Sequence, residues 1–214
     1  MSKTEVFDIN KIVLVGTVVD EPKFSHKVPN KEKIYEFEVE CKRESGYVDV
    51  LKCLIPEVFI ANITKGKTIK LEGEIRTRNV VIKNQAKTYL EIRIFVKEEP
   101  VVCDGEEHSN IVFLKGTTCK KVVFRETPLG RKIADLLVAV NRPFGKSDYL
   151  PCIAWGRNAI MAKCYEVGTK IEIKGRFQSR EYQKKIEDDV FETRLAYEVS
   201  VSSILQLEEI NDEK

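Results

Sequence analysis

The sequence has little of what metal-binding, disulfide-rich or membrane-spanning proteins need. Its six cysteines never form a C-x-x-C pair and only two histidines could join them, so we expect neither a zinc site nor a disulfide framework. No apolar run approaches the roughly 18 residues of a spanning helix, and the chain does not open with a basic segment followed by an apolar one. These absences predict a cytoplasmic protein with reduced thiols, no metal, no cofactor and no membrane contact.

Catalytic motifs are absent as well. The sequence contains no G-x-x-x-x-G-K-[ST], G-x-G-x-x-G, G-x-S-x-G or H-E-x-x-H pattern. Its most compact group of carboxylates, Glu187, Asp188 and Asp189, lies in a polar segment typical of a solvated turn. We therefore expect a protein that is not an enzyme.

The chain has almost no net charge, but its charges are unevenly distributed. It has 214 residues with 36 basic and 34 acidic groups, a size that suits one large domain or two small ones. Residues 111–180 hold 14 basic groups against 5 acidic ones, whereas residues 181–214 hold 4 against 10. The overall neutrality thus hides a strongly basic block, as expected of a surface that binds phosphates.

An internal repeat at an offset of about 100 residues determines the predicted domain organisation. The two copies share identical residues, three of them glycines, across only two gaps. The pairs are Leu14/Leu114, Gly16/Gly116, Thr17/Thr117, Phe24/Phe124, Pro29/Pro128, Ile34/Ile133, Val39/Val138, Arg43/Arg142, Cys53/Cys152, Gly66/Gly168, Gly73/Gly175 and Arg78/Arg180. Two long copies predict two similar domains, 1–100 and 110–208, rather than an array of short repeats.

Each copy has the pattern of a small β-barrel. Apolar and acidic residues alternate over 35–41, which is typical of a half-buried strand. Short helical segments are predicted at 57–64 and 156–166, and glycine-containing apolar strands follow at 68–75 and 169–177. Three strands, a short helix and two more strands are the element order of the OB fold. The predicted fold class is therefore all-β, with two tandem five-stranded OB barrels and one short helix between strands 3 and 4 of each.

Side-chain alternation in the second copy places aromatic and cationic residues on shared strand faces. One predicted strand presents Arg176, Gln178, Arg180 and Tyr182 on one side, and another presents Tyr149, Ile153 and Trp155. Aromatic rings that stack on bases and guanidinium groups that hold phosphates are the combination by which proteins bind single-stranded nucleic acid. The alternative is that Tyr149 and Trp155 pack beneath a loop or in a subunit contact.

Four segments of the second copy carry a family resemblance. They are TPLGRKIADLLVAVNRPFG (127–145), DYLPCIAWGRNA (148–159), YEVGTKIEIKGRFQSREY (165–182) and YEVSVSSILQLE (197–208). In order and spacing they resemble the bacterial single-stranded DNA-binding protein family. The resemblance covers nearly all of residues 110–208.

This resemblance implies a function and a set of site residues. The base-stacking positions of the family fall on Phe144, Tyr149, Trp155 and Tyr182. Its phosphate contacts would be Arg125, Arg131, Arg142, Arg157, Arg176 and Arg180. The implied protein coats and protects single-stranded DNA on the nucleoid during replication, recombination and repair. Because family members usually assemble four OB folds, a chain with two of them implies a homodimer.

The sequence departs from the family pattern in two places. At the positions aligned with the four stacking aromatics, the first copy has Ser45, Val50, Pro56 and about Val80, so we expect this degenerate copy to bind DNA weakly or not at all. The sequence ends in LEEINDEK, without the family's long linker and acidic tip, so recruitment of replication and repair proteins by that tip is not expected. RNA binding, or a primosome-type accessory or oligomeric protein–protein role for the OB modules, remains the alternative.

Overall fold

The computed structural model describes residues 8–29, 32–81, 88–105, 107–187 and 190–207. Its contacts group into two compact units, each described here by itself. One contains Lys11–Ile111 together with Phe177–Glu198, and the other contains Val112–Arg176 together with the segments at both ends of the chain. The predicted domain boundaries, 1–100 and 110–208, follow the repeat rather than these contacts and stay a prediction. Asp188 and Asp189 of the predicted solvated turn, and the final residues from 208 onward, lie outside the described residues.

The first copy of the repeat forms a closed five-stranded barrel. The strands of this copy are β1 (Ile9–Val18), β2 (Lys23–Lys27), β3 (Lys33–Lys42), β4 (Val48–Pro56), β5 (Thr68–Val81), β6 (Thr88–Val96) and the two-residue β7 (Val101–Val102). The barrel itself consists of β1 and β3–β6. Strand β1 pairs with β5, β5 with β6, β6 in parallel with β4, β4 with β3, and β3 with β1 again. This ring, the first barrel, leaves none of its five strands without two neighbours, which is how small barrels remove exposed sheet edges.

The second copy repeats this topology. Its strands are β8 (Ser109–Thr118), β9 (Val123–Glu126), β10 (Lys132–Asn141), β11 (Ser147–Trp155), β12 (Lys170–Glu187) and β13 (Val190–Gln206). The ring runs β8–β12–β13–β11–β10 and back to β8, with β11 and β13 parallel. The predicted fold class, two tandem five-stranded OB barrels, is confirmed; β8 and β10–β13 are the second barrel.

Each barrel has its predicted short helix between strands 3 and 4. In the second copy it is α1 (Gly156–Ala162), which buries Ala159 and Ala162. In the first copy the segment Glu57–Asn62 is a 3₁₀ helix instead. Three consecutive residues of this segment, Val58, Phe59 and Ile60, are β-branched or aromatic, and such residues favour a short 3₁₀ turn over an α-helix.

Strand pairing shows how closely the two copies correspond. All nine residue pairs between β3 and β4 recur between β10 and β11 at an offset of 99, from Ile34 opposite Pro56 and Ile133 opposite Trp155 onward. The repeat-related glycines 16 and 116 also lie against equivalent backbone oxygens, those of Glu40 and Ala139, with room for no Cβ atom. The repeat read in the sequence is therefore a repeat of three-dimensional register.

Apolar side chains fill the interior of each barrel. Cys41, Cys53 and Cys152 are buried and Cys164 is exposed, and burial raises the pKa of the Cys53 thiol well above its usual value. In the part of the chain that the structure describes, all six cysteines are free thiols, and no group of histidine, cysteine and carboxylate side chains could hold a metal ion. None of the described helices is long and apolar enough to cross a membrane.

Candidate nucleic-acid interface

Strands β10 and β11 present an outer face with an aromatic ring near each end. The pairs on this face are Ile133/Trp155, Asp135/Ile153, Leu137/Pro151 and Ala139/Tyr149. Tyr149 is 46% exposed and Trp155 is 40% exposed. Because Ile153 is buried, it lines the face without being accessible from solvent, although alternation grouped it with the two aromatic residues. The face thus offers two exposed rings that a base could approach, with Asp135 and its partner Arg125 between them.

A groove surrounds Trp155 at the end of β11. Its lining residues, here called the Trp155 groove, are Gly130, Arg131, Lys132, Trp155, Gly156, Arg157 and Ile160, and it encloses about 440 Å³. Gly156, at φ 55°, allows the chain to turn sharply from β11 into α1, which places Arg157 beside the indole. Two of the predicted phosphate contacts, Arg131 and Arg157, thus meet one of the predicted stacking residues.

The Trp155 groove is positively charged. Arg131, Lys132 and Arg157 are all exposed, and within the described part of the chain none of them has a carboxylate at ion-pair distance. Lys132 is the residue here that sequence reasoning missed. Its position beside Arg131, at the start of a strand, was the available signal. Glu126 of β9 lies opposite Lys132, but no ion pair among the described residues holds the three cations, and exposed cations around an exposed indole can attract a phosphate backbone and stack a base.

Two other predicted phosphate contacts are held by carboxylates. The Arg125 guanidinium donates to Asp135, with Nε 3.1 Å from Oδ2. The Arg142 guanidinium donates from Nε to Oδ2 of the fully buried Asp148, at 2.6 Å. Both arginines therefore have a local partner within their barrel, and a phosphate would have to compete with that carboxylate for the guanidinium protons.

The remaining predicted site residues lie along β12 or near the β10–β11 turn. Arg176 is partly exposed on β12. Arg180 and Tyr182 are exposed and belong to the unit that contains the first barrel, where the Arg180 guanidinium carbon lies 5.9 Å from the centre of the Tyr182 ring. Phe144 lies in the 3₁₀ turn Pro143–Gly145, and its side chain is outside the described part.

The alternation of burial, though not that of side-chain direction, fails on β12 beyond Arg176. Phe177, Gln178 and Ser179 are all buried, but Gln178 and Arg180 both contact Glu198, so these two side chains lie on one face of the strand. The Gln178 amide donates to the Glu198 carboxylate, 3.0 Å from Nε2 to Oε1. Both sides of the strand are covered at this point, and a period of two cannot reveal such a position.

The equivalent face of the first barrel carries carboxylates instead of aromatic rings. Glu36, Glu38 and Glu40 pair with Leu54, Lys52 and Val50 at the places of Asp135, Leu137 and Ala139 in the second copy. Its arginines are paired as well, because Glu91 accepts from both Arg78 and Arg93. Burial works to raise the pKa of Glu91, but these two hydrogen bonds outweigh it and hold the pKa below its usual value. Among its described residues this face therefore lacks the stacking rings of the Trp155 groove and carries three carboxylates instead.

Comparisons with known proteins bear on the second copy most directly. Residues 109–207 match the single-strand binding protein family. Single-stranded DNA-binding protein A of Bacillus subtilis (strain 168) is 33% identical over 109 residues, covering 48% of this chain and 61% of that protein. Single-stranded DNA-binding protein B of the same organism is 30% identical over 93 residues, covering 40% of this chain and 82% of that protein.

The whole chain has a structural counterpart. The wild-type single-stranded DNA binding protein from Thermus aquaticus superposes with a TM-score of 0.77 and covers 98% of both chains, at 19% identity, which shows a shared fold. The chain spans about three fifths of the length of the first curated relatives that it matches. The match to most of the Bacillus protein B, together with the four motif segments in order, shows that the chain belongs to the single-strand binding protein family.

Proposed function

We propose that this protein binds single-stranded DNA without catalysing a reaction, and that it coats and protects exposed strands in replication, recombination and repair. The observation that carries the proposal is the Trp155 groove, where an exposed indole is surrounded by three cations. Tyr149 on the same outer face supplies a second ring. The names of the relatives support the same activity.

The proposed chemistry is stacking plus neutralisation of phosphate. Phe144, Tyr149, Trp155 and Tyr182 are assigned to bases, each stacked base contributing about 1–3 kcal/mol. Arg131 and Arg157, joined by Lys132, are the primary phosphate contacts, since among the described residues no ion pair holds them. Arg176 is assigned to a phosphate on β12. Arg125, Arg142 and Arg180 are secondary contacts because Asp135, Asp148 and Glu198 lie at ion-pair distance from them. Every base has a π-face, so such binding tolerates any sequence.

Titration with dT oligomers tests the proposal. Trp155 is the only tryptophan, so a base that stacks on it is expected to quench the intrinsic fluorescence of the protein. If the three groove cations each neutralise one phosphate, log K should fall against log salt with a slope of at least about −2, because each phosphate on a single strand contributes about −0.7. Unchanged emission at saturating dT, with no gel shift at low salt, would overturn the proposal.

Competition between dT and U oligomers of equal length separates DNA from RNA as the ligand. Stacking on an open barrel face does not exclude the 2′-OH, whereas a site closed around the sugar would. Displacement of U by dT would identify DNA as the preferred ligand. Equal competition would show that the groove accepts both nucleic acids.

We also infer that the chain assembles as a homodimer, which brings four OB barrels together. Two barrels are present in one chain, and a two-fold axis is the commonest way for one chain to assemble with itself. The degenerate first barrel then contributes assembly surface in place of a DNA-binding subunit. Light scattering should give twice the mass of the chain at micromolar concentration, and a monomer at every concentration tested would contradict the homodimer.

A further inference from the structure

We propose that Asp49 of the first barrel is a positioning residue for DNA binding, because it fixes the part of β12 from which Arg180 and Tyr182 project. The inference rests on the proposed function and adds a role for the barrel that has no aromatic residue at the four aligned stacking positions. It concerns a cluster of three residues, Arg43, Asp49 and Ser179, here called the clip. All three belong to the unit that combines Lys11–Ile111 with Phe177–Glu198.

The Asp49 carboxylate is buried and fully bonded. Its side chain is 1% exposed at the start of β4. Oδ2 accepts from Nε of Arg43 at 2.7 Å, and Oδ1 accepts from the same guanidinium at 2.5 Å. Oδ1 also accepts from the Ser179 backbone N–H at 2.7 Å and from the Ser179 hydroxyl at 3.1 Å. A buried carboxylate is stable only when it is paired and hydrogen-bonded in this way, so loss of its charge disturbs every donor around it.

Ser179 is held through three of its atoms. The Asp49 carboxylate accepts hydrogen bonds from the Ser179 N–H and hydroxyl, and the Arg43 guanidinium donates to the Ser179 carbonyl oxygen at 3.0 Å. The hydrogen bond from Arg43 to Asp49 raises the pKa of the guanidinium, although burial opposes the shift. The direct neighbour of this fixed residue is Arg180, and Tyr182 is the next residue but one beyond it.

The clip continues a backbone ladder that would otherwise stop. Strand β8 pairs with β12 as far as Gly175. Two residues later the Asn110 side chain takes over, accepting from the Phe177 N–H at 3.0 Å and donating to the Phe177 carbonyl at 2.7 Å. After two more residues the clip does the same for Ser179. Backbone groups on one edge of a strand recur every second residue, so side chains satisfy this edge up to the point where Arg180 begins.

The facing strand is held by the same part of the first barrel. The Tyr197 hydroxyl donates to the carbonyl oxygen of Val50, the residue after Asp49, at 3.4 Å, and its ring stacks on Phe177 with centroids 5.8 Å apart. Glu198, buried, accepts from Gln178, and its Oε1 lies 3.4 Å from Nε of Arg180. Both strands at the base of this segment are therefore fixed, whereas Arg180 and Tyr182 beyond it are exposed.

The test is a double-mutant cycle on binding of a labelled dT oligomer by the full-length protein. Asp49→Asn is expected to weaken binding at least about fivefold, the lower end of the loss for one stacked base. In an Arg180→Ala/Tyr182→Ala background the same change should have almost no further effect, because residues that act through one another are not additive. In the single variant Asp49→Asn, hydrogen exchange at the Ser179 amide should be faster than in the wild-type protein.

Two further variants keep the outcome interpretable. Asp20→Asn makes the same charge change at a half-exposed carboxylate on the first barrel and should leave binding unchanged or slightly tighter. Ser179→Ala removes one of the four bonds to the carboxylate, so it is expected to fold even if Asp49→Asn does not, and to give a smaller loss that also vanishes in the double-variant background. Two results would overturn the positioning role of Asp49. One is a dT affinity of the folded clip variants equal to that of wild type, and the other is a loss that adds fully to the loss in Arg180→Ala/Tyr182→Ala. Failure of the wild-type protein to bind dT would overturn the proposed function itself, and with it the DNA-positioning role.

Discussion

Alanine at Trp155 is expected to weaken binding of a dT oligomer by about 1–3 kcal/mol, which is roughly five- to 150-fold. The indole is 40% exposed inside the Trp155 groove, so its loss removes a stacking surface without opening a cavity in the core. The melting temperature should therefore change little. Because the variant has no tryptophan, binding is measured by the anisotropy of a labelled oligomer.

Two controls separate stacking from a general loss of apolar surface. Trp155→Phe keeps an aromatic ring and should recover most of the affinity. Tyr89→Ala removes a ring of similar exposure, 49%, from the first barrel and should leave binding unchanged. Equal affinity of Trp155→Ala and wild type would instead favour a protein–protein role for this face.

Alanine at Gly175 is expected to destabilise the second barrel by about 3 kcal/mol, the upper part of the usual range for overpacking. A Cβ atom there would lie 2.3 Å from the carbonyl oxygen of Ser200 and 3.1 Å from its carbonyl carbon. The obstacle is the backbone of the neighbouring strand β13, so the two strands have to separate before the methyl group fits. A Cβ atom added at Gly73 in the first barrel would lie 2.3 Å from the Phe95 carbonyl oxygen, so Gly73→Ala should destabilise that barrel by a similar amount.

Gly168→Ala is the matched control for this substitution. Gly168 precedes Gly175 by seven residues, has a φ of 99°, and a Cβ atom there would have no neighbour within 4 Å among the described residues. Its cost is limited to the backbone conformation, about 1 kcal/mol. Urea unfolding followed by circular dichroism measures both variants. If Gly175→Ala unfolded at the same urea concentration as Gly168→Ala, the close approach of β12 and β13 would not limit stability.

Much of the fold could be predicted because it rests on local pattern and on comparison of the chain with itself. The alternation over 35–41 identified β3, and Gly73 and Gly175 identified the strand after each short helix, whereas the helices end at Asn62 and Ala162, before the residues that Gly66 and Gly168 predicted. The offset of 99 between Arg43 and Arg142 also predicted equivalent places in the barrels. What it did not reveal was the partner, a buried aspartate that follows six residues later in each copy.

The burial of Gln178 and Ser179 could not be predicted from the strand pattern. On a strand with one wet face, residues 178 and 179 should differ in burial, yet both are covered because side chains from the first barrel and from β13 reach them. These contacts join residues up to 130 positions apart in the chain. No local window contains them.

The charges at the candidate site could also be predicted only in part from the sequence. The sequence alone located the basic block at 111–180 and the aromatic residues within it. Which cations are available was a matter of tertiary contacts: Arg125 and Arg142 have carboxylate partners, whereas Arg131, Arg157 and the overlooked Lys132 surround Trp155.

By itself, then, the sequence determined the repeat, the strand order and the chemical types at the proposed interface, because those follow from residue spacing and side-chain chemistry. The tertiary structure alone decided which charges remain uncompensated and which strand edges the first barrel secures. Those outcomes depend on hydrogen bonds between distant segments, and a buried charge such as Asp49 takes its partners from whatever the fold brings within about 3 Å.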